Sequence, residues 1–143
     1  MSTLERAIEI AVHAHAGQLD KAGQPYILHP LRVMLAMKTA SERMVAVLHD
    51  VVEDTPVTLD ALRSEDFSPE VLDAVFALTK TKGEARLDAA KRAAANPITR
   101  AVKLADVTDN MDLSRIPQPT DKDRARLEEY RQVRALLLNA VAT

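Results

Sequence analysis

Four ionisable residues fall close together in His49-Asp50-Val51-Val52-Glu53-Asp54. Read as part of one helix running from Ser41 to Asp54, they place His49 with Glu53 and Asp50 with Asp54 in adjacent i,i+4 rows, so an imidazole and three carboxylates share one face. Such a set can ligate a divalent cation or handle a proton. Met44, Val45, Val47, Leu48, Val51 and Val52 make the other side apolar, as in a helix that packs on a core. Glu42 and Arg43 fall on the polar arc as well, so an ordinary solvated face accounts for the same pattern. Against that reading, three carboxylates stand near a helix C-terminus, where the macrodipole disfavours negative charge, and Asp50 and Asp54 form a like-charged i,i+4 pair. A bound cation removes both objections.

Other candidates lie apart from this stretch. His29 precedes Pro30, the expected first position of a second helix whose row continues through Val33 and Met37; aimed along that stripe, it is either a core histidine or a ligand. A helix from Ile98 to Met111 carries Asp106, Asp109 and Asn110 at i, i+3 and i+4, a second acidic cluster beside the apolar row of Ile98, Val102 and Ala105. His13 and His15 end the first helix and are assigned to the helix dipole or to packing, outside any ligand set. Lys21 is the one fixed positive charge of the loop Gln18–Tyr26. Lys80, Lys82 and Arg86 read either as a phosphate clamp or as scattered charges on an exposed connection.

The elements that must position these residues are helices. The 143 residues are 47% apolar yet hold only Tyr26, Phe67, Phe76 and Tyr130 as aromatics, so the core is built from Ala, Leu, Val, Ile and Met. No segment alternates with period two, and a single domain over residues 1–143 is expected. Ser2 with Glu5 reads as a capping box for a first helix that Gly17 stops. Further helix starts are read at Thr58, Ser68-Pro69 and Asn96-Pro97. Thr120 with Asp123 opens a last helix with Leu127, Tyr130, Val133, Leu137 and Val141 on its buried face and mixed charges on a solvated one. With 19 Lys+Arg against 21 Asp+Glu and few aromatics, the chain is not expected to bind nucleic acid generally. It has no cysteine, which excludes disulfides and thiolate metal sites. No signal-peptide core or membrane-length apolar run is read, so a cytoplasmic protein without membrane contact is expected; a homo-oligomer is left open.

Taken in order, Ala14-His15-Ala16-Gly17-Gln18, Gly23-Gln24-Pro25-Tyr26-Ile27-Leu28-His29-Pro30, His49-Asp50-Val51-Val52-Glu53-Asp54-Thr55 and Lys103-Leu104-Ala105-Asp106 with Asn110 form a more specific pattern. It resembles the hydrolase domain of the RelA/SpoT-type alarmone enzymes, and in length the stand-alone small alarmone hydrolases of the HD-domain phosphohydrolase superfamily. The resemblance runs from about Glu5 to Leu113. It implies an all-α HD-domain bundle of about eight helices in which His29, His49, Asp50 and Asp106 hold one divalent ion, usually manganese. It further implies that Glu53 and Asp54 orient or deprotonate the attacking water, and that a nucleotide, ppGpp or pppGpp, loses its 3′-pyrophosphate. Lys21 and Asn110 match substrate-binding positions directly, and Lys80, Lys82 and Arg86 only loosely. No synthetase activity is expected, as no second domain follows Thr143.

Three positions depart from the pattern. Asp20 stands where a basic residue usually helps hold the guanine base, Val107 where Arg or Lys follows the metal Asp, and Asp109 where His or Tyr is common. Two alternatives therefore stand beside the guanosine alarmone. One is the same machinery acting on an adenine alarmone or on the 2′-phosphate of NADPH; the other is a non-catalytic nucleotide-binding regulatory module.

Overall fold

Most helices in this chain begin where a side chain can take up a backbone N–H that the first turn leaves unpaired. The computed structural model describes residues 1–142, with side chains through Ala140, and among these it is all-helical. Its elements are α1 (Leu4–Ala14), α2 (Leu28–Leu35), α3 (Ala40–Leu48), α4 (Val51–Asp54), α5 (Leu59–Ser64), α6 (Pro69–Leu78), α7 (Arg86–Ala94), α8 (Pro97–Asn110), a 3₁₀ turn (Leu113–Arg115) and α9 (Asp121–Ala142). Thr58, Ser68 and Asn96 cap α5, α6 and α8 as the sequence predicts, and Thr120 and Asp123 bond reciprocally at the start of α9. Two caps are displaced. Thr3 rather than Ser2 accepts from the backbone of Arg6 to start α1, and Thr39 rather than Ser41 starts α3, where Glu42 closes a full capping box. His29 sits inside the first turn of α2, not at its cap, because Leu28 is already helical.

The helix read from Ser41 to Asp54 is corrected into two. It breaks at His49 and Asp50, because the His49 ring takes the carbonyl of Ala46 at 2.5 Å, and that carbonyl would otherwise belong to the continuing ladder. The break separates the buried α3 from a four-residue α4 too short to stand on its own hydrogen bonds.

Val45, Ala46, Val47 and Leu48 make α3 the central element, packed by α1, α2, α6 and α8. Most of the core lies here, from Ala7 and Ala11 through Val33, Val71 and Val75 to Val102. A smaller cluster of Ala90, Val107, Val133 and Leu137 joins α7, α8 and α9. Val133 and Leu137 confirm the buried face read for α9; the side chain of Val141 lies outside the described residues. Between the two clusters runs a cleft floored by α2, α8 and the break after α3. No helix of the described residues is long and apolar enough to cross a membrane.

Candidate metal centre

Three segments distant in sequence bring His29, His49 and Asp106 together as buried polar residues, their ligand atoms all within 4.8 Å of one another. His29 Nε2 lies 2.9 Å from Asp106 Oδ1, and His49 Nε2 lies 3.5 Å from the same oxygen. Asp50 Oδ2 is 3.0 Å from His49 Nε2 and 3.8 Å from His29 Nε2, so a second carboxylate reaches the same point. All four residues implied by the resemblance as ligands converge.

The chemistry of this donor set fits a metal ion. Hydrogen bonding to Ala46 places a proton on His49 Nδ1, yet the buried Nε2 has no hydrogen-bond partner although it faces two carboxylates. A buried imidazole nitrogen turned toward carboxylate oxygens calls for positive charge between them, a proton or a cation. Ionisation follows the same logic. Burial opposes charge on His49 and on His29, but neighbouring carboxylates outweigh it and raise both pKa values, that of His49 well above the ordinary range. Burial equally opposes charge on Asp106, and Lys103 with the two histidines outweighs it, holding the carboxyl well below its usual range. Imidazole with carboxylate suits borderline first-row divalent ions.

A surrounding layer fixes these groups. Asp109 Oδ2 accepts from His29 Nδ1 at 2.7 Å, leaving Nε2 for the centre, and Arg32 holds the Asp109 carboxylate from Nε and Nη2 at 2.8 and 3.0 Å. Lys103 Nζ and Asn110 Nδ2, one turn before and after Asp106, donate to its two oxygens at 3.1 Å each. The Tyr26 hydroxyl donates to Asp50.

The cleft has two lobes. A larger cavity of about 410 Å³ is lined by Lys21, Tyr26, His29, Arg32, Asn110 and Arg115, among others. A smaller one of about 230 Å³ contains His49, Asp50, Glu53, Asp54, Lys80, Arg86, Lys103 and Asp106. Tyr26, Asn110 and Tyr130 line both. Glu53 Oε1 accepts the backbone N–H of Lys80 at 2.6 Å, which ties the acid pair to the segment before α7. Partial burial, then the charges of Asp50 and Glu53, push the Asp54 carboxyl up to about 6 although it keeps access to solvent.

Of the expected substrate-binding residues, Lys21 and Asn110 border the larger lobe and Lys80 and Arg86 the smaller. Arg86 is already engaged, with Nε 3.1 Å from Glu129 and its guanidinium over the Tyr130 ring at 4.7 Å. Lys82, exposed in the turn before α7, lines neither lobe. The three departures have structural uses. Asp20 Oδ1 accepts from the backbone of Ala22 and Gln24 and so shapes the loop, Val107 is buried against the α9 cluster, and Asp109 orients His29. Sequence reasoning gave no role in this layer to Lys103, Tyr26 or Asp109, although Lys103 at three residues before Asp106 carries a helical-spacing signal. The polar face of α9 is not wholly solvated either, since Asp123 and Arg126 line the larger lobe.

A protein-family model described as HD domain matches residues 7–142. The chain belongs to the HD domain family. It is 37% identical over 142 residues to a probable GTP pyrophosphokinase of Mycobacterium leprae, covering 90% of this chain and 18% of that protein. It is 39% identical over 116 residues to the guanosine-3′,5′-bis(diphosphate) 3′-pyrophosphohydrolase of Haemophilus influenzae, covering 71% of this chain and 17% of that one. The chain thus spans less than one fifth of the length of either relative. A solved structure described as a metazoan ortholog of SpoT that hydrolyzes ppGpp superposes with a TM-score of 0.77 at 23% identity, over 94% of this chain and 84% of that one, which establishes the shared HD fold. The RelA/SpoT-type resemblance read from the motifs is borne out by these relatives.

Proposed function

We propose that this HD domain hydrolyses the 3′-pyrophosphate of guanosine alarmones, converting ppGpp or pppGpp to GDP or GTP plus pyrophosphate, with Mn²⁺ held by His29, His49, Asp50 and Asp106. The observation that carries the reading is the buried His/Asp cluster beside the Glu53–Asp54 pair, in a cleft whose remaining side chains supply Lys21, Lys80, Arg86 and Lys103. The ion, when bound, supplies Lewis acidity that acidifies a water and draws charge from a phosphoryl oxygen. Glu53 and Asp54 take the proton of the attacking water; Asp54, with its raised pKa, is suited to accept it near neutrality. Attack at the phosphorus borne by the 3′ oxygen breaks that P–O bond, and the 3′ oxygen leaves as a hydroxyl once protonated. Lysine and arginine side chains of the smaller lobe face the pyrophosphate charge, and the larger lobe, bordered by Lys21 and Asn110, takes the nucleoside.

A second reading keeps the chemistry and changes the nucleotide to an adenine alarmone or NADPH. It is favoured by Asp20, one of whose carboxylate oxygens is committed to its own loop, and by the apolar Val107. The test is Mn²⁺-dependent turnover of ppGpp, its adenine counterpart and NADPH with pyrophosphate resolved from phosphate. Pyrophosphate from ppGpp that disappears in Glu53→Gln supports alarmone hydrolysis. Phosphate from NADPH alone moves the assignment to the monoester, and silence on all three favours a regulatory binding module.

A further inference from the structure

The segment between α1 and α2 grips the catalytic turn at both of its ends. At one end the Tyr26 hydroxyl donates to Asp50, and at the other Gln18 Nε2 donates to the carbonyl of Asp54 at 3.0 Å. Gln18 is itself held, because its Oε1 lies 2.8 Å from Nδ1 of His15, a histidine only 1% exposed. With Gln18 Nε2 donating, Oε1 must accept, so His15 carries its proton on Nδ1. The other nitrogen of His15 is buried without a hydrogen-bond partner. A fully buried imidazole that leaves one nitrogen unpaired is a poor core residue; its one directed bond goes to Gln18.

The loop between these two contacts is closed on itself. Tyr26 N–H donates to Gln18 O and Asp20 N–H to Gln24 O, each at 2.8 Å, with an antiparallel bridge between Leu19 and Pro25. Its tip, Leu19 to Ala22, lines the larger lobe of the cleft. The four-residue α4 cannot fix Glu53 and Asp54 by its own hydrogen bonds; the Lys80 N–H holds the Glu53 side chain from outside, and Gln18 holds the Asp54 backbone.

Resting on the function proposed above, we infer that Gln18, seated on His15, is a positioning residue for Glu53 and Asp54, and that the Gln18–Tyr26 loop couples occupancy of the nucleoside lobe to the geometry of the acid pair. The amide holds the carbonyl of Asp54 and so sets where α4 ends and where its carboxylates stand in the smaller lobe.

Gln18→Ala tests this at a half-buried loop position. In the metal-free protein the backbone amide of Asp54, bonded to Asp50 O at 2.9 Å, should exchange at least about tenfold faster while α8 amides keep their rates. In the Mn²⁺-loaded protein kcat should fall about 10- to 100-fold, with KM and Mn²⁺ affinity within about threefold. His15→Leu should reproduce the effect, and His15→Gln, which keeps a donor for Gln18, should recover part of it. Unchanged exchange at Asp54 overturns the proposal whatever the rate does, and so does faster exchange with full kcat in an active protein. Should the wild type leave ppGpp untouched, the exchange measurement still decides the positioning role apart from the substrate assignment.

Discussion

Removing the carboxylate of Asp109 tests how the His/Asp cluster is held without touching a proposed metal ligand. In Asp109→Ala, His29 Nδ1 loses an acceptor at 2.7 Å and Arg32 loses two at 2.8 and 3.0 Å. The His29 ring is buried, so its stranded N–H costs about 1–3 kcal/mol in the metal-free protein. Arg32 is 34% exposed and rehydrates, which adds only about 0.5–1 kcal/mol. Urea denaturation should therefore report a loss of about 1.5–4 kcal/mol. Mn²⁺ titration by calorimetry should report affinity down about 10- to 100-fold, because an imidazole without its outer partner is free to turn Nε2 away. Asp109→Asn keeps an acceptor oxygen for His29 and should retain most of the affinity. Acid stability gives a second check: burial opposes ionisation of Asp109, but His29 and Arg32 outweigh it and depress its pKa. A depressed carboxyl stabilises the fold above its unfolded pKa of about 4 and loses that contribution as pH falls toward the folded value, so Asp109→Ala should flatten the acid limb of the stability curve. Wild-type Mn²⁺ affinity in Asp109→Ala, despite a stability loss, would refute the claim that Asp109 sets the His29 orientation.

Three other outcomes are expected. Asp50→Ala or Asp106→Ala should abolish Mn²⁺ binding in calorimetry, and full affinity in either would remove the proposed site. In the metal-free protein the Asp54 carboxyl should titrate near 6 by ¹³C NMR; since its folded pKa is raised, the fold should lose stability as pH rises from about 4 to about 6, and Asp54→Asn should cancel that slope. Thr39→Ala, which removes the cap of the central helix, should cost about 1 kcal/mol in urea denaturation, and no change would show the capping box to be idle.

The helical fold was legible because it rests on local signals, and the four converging residues because their motifs, taken in order, resemble a known family. Apolar spacing identified the inner faces of α3, α8 and α9, cap residues located most helix starts, and the motif order picked out His29, His49, Asp50 and Asp106. The break after α3 was not legible, since the apolar spacing resumes with Val51 and Val52 directly after His49 and Asp50; the bond from the His49 ring to Ala46 marks the break and no periodicity reveals it. Asp109 was visible as part of an acidic cluster but its partner is 80 residues away, and no periodicity connects His29 to it. The same holds for Gln18 and Asp54, separated by 36 residues and joined through a backbone carbonyl that no side-chain pattern reveals. Val107 and Asp20 read as missing cations, whereas the fold uses one as packing and the other as a loop staple.

The placement of the two tyrosines has a practical consequence. The chain has no tryptophan, and its only tyrosines, Tyr26 and Tyr130, both line both lobes of the cleft. Tyrosine emission therefore originates beside the cluster, with one emitter bonded to Asp50 and the other stacked under Arg86. A paramagnetic ion seated among His29, His49 and Asp106 would lie close to the Tyr26 ring, whose centroid is 5.7 Å from that of His29, and quench it, making the unlabelled protein its own optical reporter of loading.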